Sequence, residues 1–170
     1  MNLYLNGFMG SGKSSLGLQL AQALGRTFVD LDAAIVANAG RSIPEIFNQW
    51  GEARFRELET LALQSVGSDW VVALGGGTWL KADNRALMAR SGKVIYLDWP
   101  LPVLLARVRQ DANRPLAVNP LQSVSLFLKR KVYYQQSDCI VSFPACFHAR
   151  PIQSGARLLE VLRAGILKEL

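Results

Sequence analysis

The stretch of sequence that decides the fold is Gly7-Phe8-Met9-Gly10-Ser11-Gly12-Lys13-Ser14, which matches G-x-x-x-x-G-K-[ST] at every specified position. Residues 3–5 before it are apolar and strand-like. After it, Leu16, Leu20 and Leu24 recur at the four-residue spacing of an amphipathic helix. Because glycine makes up only about 7% of residues in proteins, chance seldom supplies all four fixed positions between such elements. The stretch therefore predicts a strand, a phosphate-binding loop and a helix that ends at Gly25.

The chemistry of this loop points to a nucleotide. Its glycines let the backbone curl so that successive N–H groups face phosphate oxygens, and the start of the next helix adds its positive end. Lys13 is expected to reach the β- and γ-phosphates, and the Ser14 hydroxyl to bind Mg²⁺. The predicted nucleotide-binding residues of the loop are Gly10, Ser11, Gly12, Lys13, Ser14 and Ser15. Such a loop serves hydrolytic switches, motors and small-molecule kinases alike.

The rest of the chain alternates short apolar stretches with helical patterns. Strands are predicted at residues 3–5, 27–29, 70–74, 93–97 and 139–142, and helices after the loop at 42–50, 52–66, 82–90, 102–109, 121–136 and 155–170. This alternation predicts an α/β fold, with a parallel sheet between two layers of helices. Residues 110–120 show neither period and contain two prolines, so they form either a surface loop or a mobile lid. The third strand ends without an acidic residue, which argues mildly against a motor.

Length and composition limit the alternatives. A chain of 170 residues that is 50% hydrophobic and 19% charged predicts one domain, residues 1–170, and excludes a disordered protein. No apolar run approaches the roughly 18 residues of a membrane helix. Two cysteines make no disulfide framework or zinc site, and without a secretory signal the expected location is the cytoplasm. The net charge of +6 comes from 13 arginines and 6 lysines against 13 acids, and suits nucleic acid or a small polyanion equally.

Two acids follow the second predicted strand. Asp30 and Asp32 should face the crevice at the carboxyl ends of the strands, which the phosphate-binding loop also faces. If the segment is extended, side chains two residues apart share a face. One acid would then hold metal-bound water while the other takes a proton from an attacking hydroxyl. The alternative is that Asp32 caps the next helix.

Two further segments allow a structural or a functional interpretation. Residues 51–59 read GEARFRELE, a helical pattern in which Arg56 and Glu59 could form an ordinary surface ion pair. Gly75, Gly76 and Gly77 follow the third strand. They are either a flexible turn or a place where the backbone approaches a ligand closely.

The order of these motifs over nearly the whole chain resembles the shikimate kinase family. The resemblance rests on six segments at similar spacings: the phosphate-binding loop, D-x-D, G-E-x-x-F-R-x-x-E, G-G-G, R-P-L at Arg114, and R-x-x-x-Y from Arg130 to Tyr134. It implies a nucleoside-monophosphate-kinase-like three-layer fold with a mainly parallel five-stranded sheet and a short lid at about residues 110–120. It also implies transfer of the γ-phosphoryl group of ATP, with Mg²⁺, to the 3-hydroxyl of shikimate. The expected enzyme is a monomer that binds neither nucleic acid nor membrane.

The resemblance also implies roles at the acceptor site. Asp32 matches the aspartate that binds the shikimate hydroxyls and is the proposed base. Arg56 and Arg130 match the two arginines that grip the shikimate carboxylate. Gly76, with Gly75 and Gly77 beside it, matches a backbone contact of the same site.

On the nucleotide side, the resemblance places Asp30 near the water shell of Mg²⁺. Arg114 matches the lid arginine that closes on the phosphates, and Arg107 the arginine that stacks on adenine. Gln153 corresponds loosely to an adenine-side contact. The chain departs from the family pattern at Val132, where proline is usual, and in a short lid that reads Arg-Pro-Leu-Ala.

Three other functions stay open on the sequence. One is a related small-molecule kinase, such as a gluconate kinase, and Arg56 with Arg130 discriminates it: in a shikimate kinase, alanine at either position should raise the KM for shikimate steeply and leave ATP affinity nearly unchanged. A nucleotide-binding module without turnover would bind ATP and form no product. A basic nucleic-acid binder would lose affinity steeply with salt.

Overall fold

The structure is a computed structural model that describes residues 1–109, 120–143 and residue 160. The described strands are β1 Asn2–Asn6, β2 Thr27–Asp30, β3 Trp70–Ala73, β4 Gly92–Asp98 and β5 Cys139–Ser142. The helices are α1 Lys13–Leu24, α2 Leu31–Ala39, α3 Ile43–Gln64, α4 Ala82–Ser91, α5 Leu101–Arg109 and α6 Pro120–Tyr134, with a 3₁₀ helix at Thr78–Leu80. The predicted lid and the predicted helix at 155–170 lie outside the described residues.

The five strands form one sheet in the order β2-β3-β1-β4-β5, and every pairing is parallel. β1 is the central strand and is buried along its whole length. Its two faces carry different helices. Leu5 faces α1, where Gly17 lets the helix come close to the sheet, whereas the Tyr4 hydroxyl hydrogen-bonds to Ser91 of α4 at 2.7 Å. The expected three-layer α/β fold is therefore confirmed.

Local signals set several helix ends as expected. α1 ends at Gly25, which has the left-handed conformation (φ 64°). α3 begins with a capping box in which the Ser42 side chain accepts from the Glu45 backbone N–H and the Glu45 carboxylate accepts from the Ser42 backbone N–H. The expected break between two helices appears as a kink at Gly51 (φ 78°), within one continuous helical segment.

The segment after β2 is not extended, so the expectation that Asp30 and Asp32 share the face of an extended strand is wrong. α2 begins at Leu31 and places Asp32 in its first turn. The Asp30 side chain accepts a hydrogen bond from the Ala33 backbone N–H at 3.2 Å, so Asp30, rather than Asp32, is the N-cap. The cap satisfies a helix-end donor that an extended chain would not expose.

Of the helices in the described part of the chain, none combines the length and the apolar character needed to cross a membrane.

Candidate active site

The phosphate-binding loop joins β1 to α1 and has the backbone that its sequence requires. Gly10 and Gly12 have φ values of 77° and 84°, which side-chain-bearing residues rarely adopt. The Lys13 ammonium donates to the carbonyl oxygens of Gly7 at 2.9 Å and Phe8 at 3.2 Å. Ser11 is fully buried, and its hydroxyl has no hydrogen-bond partner among the described residues. A cradle with a cation and an unsatisfied hydroxyl fits the oxygens of a phosphate chain.

Helix α5 packs tightly against this loop. A methyl group added at Gly10 would lie 2.9 Å from Val108 Cγ2 and 3.0 Å from the Leu104 carbonyl oxygen. Arg107 Nη1 donates to the Gly10 carbonyl at 3.3 Å, and burial lowers the pKa of its guanidinium. The expected adenine-contacting arginine therefore lies at the rim of the loop. The other two expected nucleotide contacts, Arg114 and Gln153, lie outside the described residues.

The two expected metal ligands touch each other. The Ser14 hydroxyl at the start of α1 donates to Asp30 Oδ2, while Asp30 Oδ1 caps α2. Groups of three or more His, Cys, Asp or Glu side chains suited to a metal are absent from the described part. A hydroxyl and one carboxylate fit Mg²⁺, which usually takes one or two protein oxygens together with phosphates and water.

The three glycines after β3 gather the expected acceptor-site residues. A methyl group added at any of these glycines would crowd polar side chains. At Gly75 it would lie 2.6 Å from Asp32 Oδ1, with Glu59 at 2.7 Å and Thr78 at 2.9 Å. At Gly76 it would lie 3.0 Å from Arg130 Nη1, and at Gly77 2.4 Å from Arg56 Nη1. These side chains come from α2, α3 and α6. The carboxylate and both guanidinium groups therefore lie on one glycine turn, as expected.

This turn lies beside the phosphate-binding loop. The Leu74 backbone N–H donates to the Leu5 carbonyl at 3.0 Å, which extends the β1–β3 pairing to the point where both strands end. β1 then enters the loop and β3 enters the glycine turn. Because parallel strands end at the same edge of the sheet, the residues expected at the acceptor site lie at the same edge as the loop that carries Lys13.

Arg56 is held by a buried carboxylate, which sequence reasoning treated as a surface partner. Arg56 Nη1 donates to Glu59 Oε2 at 2.6 Å, and the Glu59 side chain is only 1% exposed. Thr78 donates to the other oxygen of Glu59 at 2.8 Å. Burial acts to lower the pKa of the Arg56 guanidinium, but the carboxylates of Glu59 and Glu52 outweigh it and the pKa is raised. Glu59 thus fixes a guanidinium beside the glycine turn.

Tyr134 lies beside Arg130 in a similar way, and its signal in the sequence is the last position of the R-x-x-x-Y motif. Its hydroxyl donates to the Gly76 carbonyl at 2.6 Å and is also hydrogen-bonded to Arg130. Burial raises the pKa of Tyr134 to about 12, so the hydroxyl keeps its proton at neutral pH. The Arg130 Nε–H is buried and lacks a partner in the described part of the chain. Val132, the departure from the family pattern, is 57% exposed on α6.

Replacing Gly77 with alanine should raise KM for the acceptor by on the order of 10- to 100-fold, because the methyl group displaces Arg56. The φ of Gly77 is −110°, which alanine adopts without strain, so the effect reports the collision alone. Gly40→Ala serves only as a stability control: nothing lies within 4 Å of its added methyl group, but its φ of 61° strains alanine, so it reports what lost stability alone does to KM. Steady-state kinetics would contradict the expectation if both variants kept the parent KM.

Comparison with known proteins identifies the family of the chain. The sequence model of the shikimate kinase family matches residues 9–146. The shikimate kinase of Geobacter sulfurreducens is 46% identical over 142 residues, covering 81% of this chain and 78% of the relative. That of Synechococcus elongatus is 41% identical over 167 residues, covering 95% and 86%. A solved shikimate kinase from Acinetobacter baumannii, in complex with shikimate, is 32% identical with a TM-score of 0.87, covering 96% and 93%. The chain therefore belongs to the shikimate kinase family.

Proposed function

We propose that this chain transfers the γ-phosphoryl group of ATP to the 3-hydroxyl of shikimate. The observation that carries the proposal is the glycine turn on which Asp32, Arg56 and Arg130 converge. Shikimate is a carboxylate that bears hydroxyl groups. Two guanidinium forks match its carboxylate, and one acid matches a hydroxyl that must be oriented and deprotonated.

The reaction follows from this placement. Arg56 and Arg130 bind the carboxylate and fix the ring, so that the 3-hydroxyl lies against Asp32. The hydroxyl oxygen bonds to the γ-phosphorus while the bond to the β–γ bridging oxygen breaks, and ADP leaves with that electron pair. The hydroxyl proton passes to Asp32. Phosphoryl transfer needs mainly positioning and charge neutralisation, and Lys13 supplies a cation at the phosphate chain.

The proposed ATP site is formed by the phosphate-binding loop and by arginines near it. The backbone amides of Gly10, Ser11 and Gly12 bind the phosphates together with Ser14 and Ser15. Arg107 contacts the base. Arg114, as a catalytic cation on the lid, and Gln153, near the base, belong to the proposal although they lie outside the described residues.

Ser14 and Asp30 are the residues that would hold Mg²⁺. When bound, the ion neutralises charge on the phosphate oxygens. We also propose that the enzyme is a cytoplasmic monomer with neither nucleic acid nor membrane as a partner. The support is that one chain supplies the whole proposed acceptor site, and that this proposal assigns Arg56 and Arg130 to a small anion.

Asparagine at position 30 should raise the Mg²⁺ concentration needed for half-maximal activity about tenfold or more, because the metal loses a charged partner. Asparagine caps helices as well as aspartate, so α2 should be kept. The measurement is a Mg²⁺ titration of activity at saturating substrates. The unchanged thermal midpoint and shikimate KM are its controls, and an unaltered Mg²⁺ requirement would contradict the assignment.

The proposal is tested by coupled measurement of ADP release with and without shikimate, with gluconate as a second acceptor. We expect release that depends on shikimate and formation of shikimate 3-phosphate. Release driven by gluconate alone would favour the related-kinase alternative. ATP binding without product in any mixture would favour a nucleotide-binding module, and either result overturns the proposal.

A further inference from the structure

Two aromatic rings stack at the sheet edge beside the phosphate-binding loop. Trp99 directly follows β4 and Phe143 directly follows β5. Asp98 is paired with Ser142 in the parallel register, and the Phe143 backbone N–H donates to the Asp98 carbonyl at 3.0 Å. The next residues along each strand therefore face each other. Their rings lie 4.0 Å apart, with an interplanar angle of 1°, and both side chains are buried.

Arg107 covers the other face of Trp99. Its guanidinium carbon lies 3.9 Å from the Trp99 ring centroid. Arg107 is on α5, which starts two residues after Trp99. Helical side chains point toward the N-terminus of their helix, so the guanidinium reaches back over the indole. The order of the stack is Phe143, Trp99, Arg107.

A guanidinium is planar, so a ring against one face leaves the second face for another planar group. Arg107 is partly exposed, and its Nη1 also donates to the Gly10 carbonyl of the loop. Two independent contacts thus hold a flexible side chain in place at the rim of the loop. Holding it before the ligand arrives avoids an entropic cost on binding.

We propose that Trp99, backed by Phe143, is a positioning residue that presents the Arg107 guanidinium to the base of the bound nucleotide. The inference rests on the proposed function, in which Arg107 contacts that base. Trp99 itself is 1% exposed, so it is assigned to act through Arg107 and not by direct contact with the nucleotide. A purely structural role for the stack would affect stability and the loop without distinguishing a nucleotide from a bare phosphate chain.

The test compares ATP with inorganic tripolyphosphate, which carries the phosphate chain but no base. We expect Trp99→Leu to raise the Kd for ATP about 3- to 10-fold, because the Arg107 side chain then has to be ordered when ATP binds. The Kd for tripolyphosphate and the KM for shikimate should stay within about twofold of the parent. Trp99→Phe, which keeps a ring under Arg107, should recover most of the ATP affinity. Calorimetry gives both dissociation constants.

Two results would overturn the inference. One is an ATP affinity of Trp99→Leu equal to that of the parent protein. The other is an equal loss of ATP and tripolyphosphate affinity, which would place the effect in the loop. If Trp99→Leu does not fold, Phe143→Leu decides by the same comparison. This substitution removes the ring behind Trp99 and leaves the Arg107–Trp99 contact in place. It must raise the Kd for ATP and leave the Kd for tripolyphosphate unchanged.

Arg107→Ala separates this inference from the proposed function. If Arg107→Ala lowers the affinity for ATP and Trp99→Leu does not, only the positioning role of Trp99 fails. If Arg107→Ala binds ATP as the parent does, the proposed base contact fails and the inference falls with it. Shikimate-dependent ADP release at saturating ATP is measured on the same samples, and reports the phosphoryl transfer independently.

Discussion

Replacing Asp32 with asparagine should lower kcat about 10²- to 10⁴-fold, the range that a positioned general base contributes. Asparagine has the same size and still hydrogen-bonds to a hydroxyl, but it cannot take the proton. Asp32 touches the same glycine turn as the two arginines, so binding by Arg56 and Arg130 persists. The loss should therefore appear in kcat, with a much smaller change in the KM for shikimate.

Asp83→Asn is the control for this variant, because Asp83 lies in the first turn of α4 as Asp32 lies in the first turn of α2, but Asp83 is exposed whereas Asp32 is partly buried. Both variants are measured with saturating ATP over a range of shikimate concentrations. A kcat for Asp32→Asn close to that of Asp83→Asn would refute the role of Asp32 as base.

Alanine at position 130 should raise the KM for shikimate between about 30-fold and several thousand-fold, which corresponds to about 2–5 kcal/mol for one partner of a desolvated charge pair. Arg130 lies on the Gly76 backbone and is hydrogen-bonded to Tyr134, and its buried Nε–H has no partner in the described part of the chain. An incoming carboxylate can satisfy that donor. The KM for ATP should change little, since no contact links Arg130 to the phosphate-binding loop within the described structure.

Lys129→Ala is the control for this second variant, since it removes an exposed cation from the neighbouring position of α6. Initial rates are fitted for each substrate in turn. A rise in shikimate KM of less than about threefold would rule out the carboxylate contact, because it is below the smallest cost of such a pair.

Arg56 gives a less direct test of the same contact. Removing its guanidinium leaves Glu59, which is 1% exposed, without its charged partner. An unpaired buried charge destabilises the fold. A rise in KM for Arg56→Ala would therefore mix lost binding with lost stability, which Arg130→Ala avoids.

Local sequence signals predicted much of the fold. Gly10, Gly12 and Lys13 determine the phosphate-binding loop within eight residues, because positive φ values need glycine at specific places. The capping box at Ser42 and the left-handed Gly25 act over three or four residues. The parallel sheet follows from continuous apolar strands separated by helices, without any knowledge of their contacts.

The D-x-D segment shows where such reasoning failed. Asp30 and Asp32 look equivalent in the sequence, and either acid can cap a helix. The choice depends on where α2 starts, and Asp30 takes the cap while its second oxygen reaches Ser14 on α1. That contact crosses from one helix start to another, so the segment alone does not contain it.

The sequence by itself determined the nucleotide loop and the layered α/β fold, and its resemblance to a family supplied the polar residues proposed to bind a carboxylated alcohol. Only the tertiary structure decided three contacts. Thr78 donates a hydrogen bond to the buried carboxylate of Glu59. Tyr134 donates to the Gly76 carbonyl beside Arg130, and Trp99 stacks on Phe143. These contacts join segments up to 58 residues apart along the chain. Local propensity and periodicity act over a few residues, whereas such contacts depend on strand register and on the packing of helices at one edge of the sheet.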